Sequence, residues 1–346
     1  MANAAPLVCI CIPCYNSEKT IGETIQSALK QTYSNFIIRV LDNASTDRTL
    51  QIVESFKDER ITIYRSEKNI GAIANFDRCI ELACGKYTEI FHADEVYEPE
   101  IVARQVESLE SNPEAGVAFT EAFLIDSESK AFGQTSVARY LGREKGQTVL
   151  LNYEELFPVI LRAGNFLLCS GALVRTEIYQ KEIQKWNGQQ FLTSCDLDVW
   201  LRILEQHKIL IILENLMSTR TSQTQASYLE LKRNTNRADM FLVLDYYLQK
   251  PRSQNAVKKS DILGYQALER MDIARRAMNM YLMGQTKEAG ALLKGHFHFE
   301  LLAKAFESKR GMLTFLLISY LKFVLLLGLD KMGHHILHAI VIKTKR

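Results

Sequence analysis

The chain has 346 residues, 47% hydrophobic and 24% charged, with only 6 prolines and 17 glycines. That is length for one large or two ordinary domains, in a composition that excludes collagenous, low-complexity and wholly disordered chains. A net charge of +2 hides an asymmetry: residues 1–215 carry 30 acidic against 21 basic side chains, residues 216–346 carry 10 against 21. An acidic front and a basic back imply different partners, a cation-assisted site and then an anionic surface; no nucleic-acid motif accompanies the basic half, so nucleic acid is not expected.

Residues 1–6 are small and uncharged, and the apolar run Leu7–Ile12 is too short for a secretory h-region. The seven cysteines, at 9, 11, 14, 79, 84, 169 and 195, are therefore expected as free thiols in a reduced, cytoplasmic setting. Leu7–Ile12, closed by Pro13, reads as a strand buried on both faces. Ile21, Ile25, Ala28 and Leu29 repeat at helical spacing, and Phe36–Leu41 is the next strand. The polar cluster Asp42–Asp47 supplies helix caps ahead of Leu50, Val53 and Phe56. Ile61–Tyr64, a helix from Ala72 to Cys84 stopped by Gly85, and Tyr87–Phe91 repeat the cycle. Glu98-Pro99 opens another helix, and Val117–Ile125 reads as a strand. Strict alternation predicts an α/β domain with a mostly parallel, Rossmann-like sheet covered by helices.

In such sheets ligands bind beyond the carboxyl ends of the strands. Three polar clusters stand there: Pro13–Glu18, Asp42–Asp47 and His92–Glu95. No glycine-rich dinucleotide or phosphate-cradling loop is present, so a bound phosphate would need a metal ion to neutralise it. Cys11-Ile-Pro-Cys14 matches the spacing of a thiol oxidoreductase, although Cys9 and Cys11 also read as inward residues of a buried strand.

Pro13-Cys-Tyr15-Asn16, Ser27–Tyr33 and Val40-Leu-Asp42-Asn-Ala-Ser45-Thr-Asp47 together resemble the opening of family 2 glycosyltransferases, which adopt the GT-A fold. Asn69-Ile-Gly71 with Asn75, Phe91-His-Ala-Asp94-Glu95 with Pro99, and Cys195-Asp196-Leu-Asp198-Val-Trp200-Leu-Arg202 continue the pattern over residues 7–220. The resemblance implies a hexosyltransferase-type enzyme of polysaccharide biosynthesis, moving sugar with inversion from a nucleoside-diphosphate donor to a glycan or lipid-linked acceptor. A uridine diphosphate sugar is the first candidate donor. By resemblance, Pro13, Tyr15, Asn16, Asp42, Asn69, Gly71, Asn75 and His92 bind the donor. Asp94, with His92 as a second candidate, holds Mn²⁺ or Mg²⁺. Asp196 is the general base, and Trp200 and Arg202 lie on the acceptor side.

Physical chemistry is consistent with these roles. A carboxylate such as Asp42 accepts a pyrimidine N–H, Tyr15 offers a stacking face, and an oxygen-ligated divalent ion stabilises a departing diphosphate. Helical spacing pairs Asp198 with Arg202 as a modest surface ion pair and leaves Asp196 without a basic partner, beside Trp200. Two positions depart from the family pattern: His92 stands where an Asp is usual, and Arg220-Thr-Ser222 where Arg-x-His is usual. They motivate the alternative of a nucleotide-sugar-binding module without catalysis.

The expected division is a GT-A domain over residues 1–220, a helical region over 221–310 and an apolar, basic segment over 311–346. Met240, Leu244 and Tyr247, then Ile273, Ala277 and Met280, repeat at helical spacing, and Met271–Ala291 with Ala303–Phe306 suggests a small bundle. Met312–Leu329 is an apolar helix with Thr314, Ser319 and Lys322 on one arc. Lys309, Arg310, Lys331, Lys343, Lys345 and Arg346 flank it. Attachment to the inner membrane surface is one expectation; packing on protein or a dimer contact is the other.

Overall fold

A computed structural model describes residues 5–221, 234–294, 309–327 and 337. It forms two compact units, residues 1–157 with 165–222, and residues 158–164 with 223–346.

The first unit is built on one ten-stranded sheet. Its strands are β1 (Val8–Cys14), β2 (Phe36–Asp42), β3 (Ile61–Arg65), β4 (Tyr87–Ile90), β5 (Val96–Tyr97), β6 (Ala115–Ile125), β7 (Ala131–Gln134), β8 (Thr148–Leu151), β9 (Ala172–Arg175) and β10 (Lys208–Arg220). The order is β3-β2-β1-β4-β9-β6-β10-β5, with β7 added to β6 and β8 to β10. Strands β1–β4, β6 and β10 run one way; β9, between β4 and β6, runs against both. The expected α/β sheet is thus present, in mixed form. Helices α1 (Ile21–Leu29), α2 (Thr49–Ser55), α3 (Ala72–Glu81), α4 (Ile101–Ser111), α5 (Val137–Leu141), α6 (Tyr153–Ala163, counted in the second unit from residue 158 on) and α7 (Cys195–Gln206) follow in chain order.

β1 is apolar throughout because both its faces are covered. Val8, Ile10 and Ile12 pack with Ile21, Ile25 and Ala28 of α1 and with Phe36, Ile38 and Val40 of β2. Cys9 and Cys11 are fully buried, and the Cys11 thiol donates to the Cys79 carbonyl at 3.7 Å. Cys14 lies in the same strand, buried against Asp42, with burial pushing its thiol up to about 12. A strand alternates its side chains, so Cys11 and Cys14 face opposite ways and the thiol oxidoreductase reading fails.

The strand also continues through Pro13, where the sequence had suggested a stop. Cys11 presents its carbonyl to β4, accepting Phe91 N–H at 2.9 Å. By alternation the missing N–H of Pro13 falls on that same side, past the last β4 pair, Cys11 with Ile90. Helix α3 ends at Glu81, short of the expected Cys84, so Gly85 is not its stop. Gly85 is instead required by its φ of +74° and by the Leu7 carbonyl oxygen, which would stand 2.5 Å from a Cβ there.

The second unit contains α8 (Asp239–Leu248), α9 (Pro251–Ala256), α10 (Lys259–Leu282), α11 (Thr286–Leu293) and α12 (Lys309–Leu327). Ile273, Ala274, Ala277 and Tyr281 of α10 form a core with Ala289 and Leu293 of α11 and Ile318, Leu321 and Val324 of α12. The opposite side of α12 leaves Leu313, Leu316, Phe323, Leu326 and Leu327 exposed. Among the described residues no helix is long and apolar enough to cross a membrane. Ala303–Phe306, Gly328, Lys331, Lys343, Lys345, Arg346 and the side chains of Lys309 and Arg310 lie outside the described residues.

Candidate active site at the strand ends

The loops after β1 and β2 are sewn together by side-chain-to-backbone hydrogen bonds. Asn16 has a φ of +49°, a region Asn tolerates. Its N–H donates to Ser45 Oγ at 3.0 Å, and its Oδ1 accepts Thr46 N–H at 2.8 Å. Ser17 N–H reaches Thr49 Oγ1 at 2.7 Å, and Glu18 N–H reaches Asp47 Oδ2 at 3.1 Å. This lacing presents Tyr15 at the surface, 45% exposed. Asn43 joins a third loop: its Nδ2 donates to Asn69 Oδ1 at 3.0 Å and to the Gly71 carbonyl at 3.2 Å, and its Oδ1 accepts Ile70 N–H at 2.9 Å. Gly71 takes a φ of +88° with open space where a Cβ would stand, so its backbone conformation alone favours glycine.

Tyr15, Asn16, Asn69 and Gly71 therefore gather at one end of the sheet as expected. Two other expected donor contacts are structural in this conformation. Asp42 is fully buried, and its carboxylate accepts Ser45 N–H at 3.2 Å, bracing the turn. Asn75 is also buried, donating to the Leu41 carbonyl at 2.9 Å and accepting from Arg78 at 2.9 Å. Each is a polar side chain used to satisfy buried backbone or neighbouring groups.

After β4 the chain places His92, Asp94 and Glu95 so that one ligand atom from each lies within 4.8 Å of the others. The His92 backbone N–H donates to Tyr97 Oη at 2.7 Å, and its ring meets Phe76 edge-on with centroids 5.5 Å apart. Its Nε2 is buried without a hydrogen-bond partner, and so is Glu95 Oε2. Glu95 Oε1 accepts Thr219 Oγ1–H at 2.7 Å. Burial pushes the Glu95 carboxyl up, against the pull of His92. A buried imidazole nitrogen and a buried carboxylate oxygen, both unsatisfied and beside a second carboxylate, suit a divalent cation with mixed N/O ligands. Arg220, 5% exposed, fastens this loop: Nε donates to the Asp94 carbonyl at 2.9 Å and NH2 to Glu23 Oε2 at 2.6 Å. Ser222, two residues further on, lies outside the described residues.

Asp196 stands in the first turn of α7, half-buried. Asn165 Nδ2 donates to its Oδ2 at 3.0 Å, while Asn165 Oδ1 accepts Leu167 N–H at 3.2 Å. Burial raises the Asp196 carboxyl above its ordinary value, against the Leu197 N–H, Asn165 and His92, which pull it down. The Asp198–Arg202 pair exists, Oδ2 to Nε at 3.0 Å, but it is no surface pair, since Asp198 is 2% exposed. Arg202 also donates to the Ile183 and Lys185 carbonyls at 2.9 Å each, so it braces the preceding loop. Trp200 is fully buried between Phe119 and Trp186, which removes it from the acceptor side; the fourth position after Asp196 is on the core face of the helix.

The model of glycosyl transferase family 2 matches residues 9–181, half of the chain. The chain belongs to that family. Among curated relatives, this glycosyltransferase is 27% identical over 220 residues to an uncharacterized glycosyltransferase of Methanocaldococcus jannaschii, covering 62% of this chain and 71% of that one. It is 33% identical over 105 residues to an Escherichia coli UDP-Glc:alpha-D-GlcNAc-diphosphoundecaprenol beta-1,3-glucosyltransferase, covering 30% and 42%. Its fold is of the GT-A type. TarS of S. aureus (residues 1–349, in complex with UDP-GlcNAc) superposes with a TM-score of 0.56 at 15% identity, over 93% of this chain and 92% of that one. Mannosyltransferase PcManGT from Pyrobaculum calidifontis, in complex with GDP-Man and Mn²⁺, gives 0.56 at 16%, over 92% and 86%.

Three residues that the structure brings into the candidate site went unassigned in the sequence. Asn43 was visible only as one amide in a polar cluster. Glu95 belonged to the motif but carried no role until its burial beside His92 was seen. Asn165 comes from a segment without periodicity, and only the meeting of that segment with α7 reveals it.

Proposed function

We propose that this glycosyltransferase moves a sugar from a nucleoside-diphosphate sugar to a hydroxyl of a glycan or lipid-linked acceptor, with inversion. The observation that carries this reading is Asp196: a half-buried carboxylate with a raised pKa, oriented by Asn165, in electrostatic reach of His92. A base with a raised pKa takes a proton more readily, and positioned proton transfer contributes roughly 10²–10⁴-fold. Asp196 removes the proton of the acceptor hydroxyl as its oxygen bonds the anomeric carbon. The bond from that carbon to the diphosphate breaks on the opposite face, so one displacement inverts the centre.

Tyr15, Asn16, Asn69 and Gly71 form the rim for the nucleoside, above the buried Asp42. The nucleotide-sugar complexes of TarS and PcManGT support a diphosphate donor, with uridine the first candidate. His92, Asp94 and Glu95 would hold Mn²⁺ or Mg²⁺, which when bound offsets the negative charge of a departing diphosphate. The lipid-linked substrate in the name of the Escherichia coli relative supports an acceptor of that class. Peripheral attachment to the inner membrane surface fits the exposed apolar side of α12 and the basic excess of residues 216–346. Asp196→Asn tests the core of the reading: donor binding stays and transfer falls at least ~10²-fold. Near-normal transfer by that variant would overturn it.

A further inference from the structure

We propose that Tyr140 and Phe166 form the subsite that receives the sugar ring of the acceptor, a proposal that rests on Asp196 as the base. Residues alternate along β6, so Phe119, Glu121 and Phe123 project to one side of the sheet. Phe119 meets Trp200 of α7 edge-on, with centroids 4.9 Å apart at 89°, so that is the side α7 covers. Glu121 accepts the backbone N–H of Ala138 at 3.0 Å, which seats α5 on the same side. Two residues further on, Tyr140 stacks on Phe166 with centroids 5.5 Å apart and planes 28° apart. Phe166 directly follows Asn165, whose amide bonds the Asp196 carboxylate. Three elements distant in sequence thus meet, and the stacked pair is one residue along the chain from the amide that bonds the base.

The pair is not ordinary core. Within residues 126–147 only Val137 and Ala138 are buried, and they anchor a short helix that leaves Tyr140 39% exposed. Phe166 is partly exposed, and Phe123, next along the same face of β6 after Glu121, is 37% exposed. A pyranose has one face of C–H groups and a rim of hydroxyls. Aromatic rings cover the C–H face by dispersion and by the attraction of polarised C–H to the ring quadrupole, leaving the rim hydroxyls for polar groups. A ring seated there presents a hydroxyl towards Asp196. The nucleoside has its own aromatic face at Tyr15, at the β1 end, so the two stacking surfaces separate donor from acceptor.

Binding and transfer can be measured apart. The probes are methyl pyranosides of glucose, galactose, mannose and N-acetylglucosamine, titrated by saturation-transfer NMR against the full chain with UDP and Mn²⁺, then used as acceptors. Tyr140→Ala and Phe166→Ala should weaken the best probe about tenfold and raise its KM alike, with kcat little changed. Donor hydrolysis without acceptor should not change. Tyr140→Phe and Tyr140→Trp should keep the affinity and Tyr140→Leu should lose it, because a ring face is required. Tyr140 is exposed on a surface helix, so this series decides the matter even where Phe166→Ala fails to fold. Unchanged affinity in Tyr140→Ala, full affinity in Tyr140→Leu, or no pyranoside contact in the unaltered protein would each overturn the subsite. Asp196→Asn should bind the probes normally. Normal transfer by that variant with ring-dependent probe binding would reject the base and keep the subsite.

Discussion

Arg220 Nε donates to the backbone carbonyl of Asp94 at 2.9 Å, from the last residue of β10 to the loop after β4. The same guanidinium reaches the Asp126 carbonyl at 2.9 Å, Ser129 Oγ at 3.0 Å and Glu23 Oε2 at 2.6 Å. A buried cation with four protein acceptors positions the Asp94 loop without needing to touch substrate.

Arg220→Met should therefore expose its role. Losing charged hydrogen bonds at a buried site costs about 1–3 kcal/mol, because the acceptors stay behind unsatisfied. Thermal unfolding should show that loss, and Mn²⁺-dependent donor binding measured by calorimetry should weaken about tenfold or more. A normal metal dependence in a folded Arg220→Met protein would limit Arg220 to stability.

The cluster of His92, Asp94 and Glu95 predicts a metal response that precedes chemistry. Mn²⁺ alone should raise the unfolding temperature, and chelation should reverse it. Glu95→Gln preserves shape and removes the charge, so Mn²⁺ affinity should fall about 10–100-fold. Equal Mn²⁺ stabilisation of both proteins would place Glu95 outside the ligand set.

Asn165→Ala tests the orientation of the base. Its amide hydrogen bond favours the charged form of Asp196, so removal raises that carboxyl further and frees its geometry. Transfer should drop about tenfold with donor affinity retained. Steady-state kinetics with donor and acceptor varied separately would show the fall in kcat; a change in donor KM alone would contradict the assignment.

Glu89 gives the chain a pH-dependent stability unrelated to catalysis. It lies fully buried in β4 with both carboxyl oxygens lacking a partner and Gln105 beside it, and burial pushes its carboxyl from 4.5 up to about 8. Between those values the folded protein holds a proton that the unfolded chain has released. Its contribution is therefore full below about pH 4.5, is lost as pH rises to about 8, and is level above that. Glu89→Gln, neutral at every pH, should gain on the unaltered protein across that window by on the order of a few kcal/mol. Denaturant melts from pH 5 to 9 (roughly the span of the shift) would show it, and parallel pH profiles would contradict it.

The exposed side of α12 predicts the membrane behaviour. Leu316→Glu with Phe323→Glu should abolish sedimentation with phosphatidylglycerol vesicles while leaving donor turnover unchanged. Vesicle binding that survives both charges would move the attachment elsewhere.

By itself the sequence determined the alternating α/β core, the family and the polar clusters at the strand ends. Those depend on local signals: an apolar run in β1, turn chemistry at Asp42–Asp47, and glycine at the positive φ of positions 71 and 85. Contacts between distant segments were decided only in three dimensions. The antiparallel β9 slips between β4 and β6 because pairing across a sheet depends on neighbours, not on sequence order. Asp42, Asn75 and Trp200 have the right side chains for ligand contacts, yet burial turns them into supports. Glu95, Asn165 and the Tyr140–Phe166 pair have no periodic signature. Tertiary packing removes water from the Glu95 carboxyl, brings the Asn165 amide to the Asp196 carboxylate and stacks Tyr140 on Phe166.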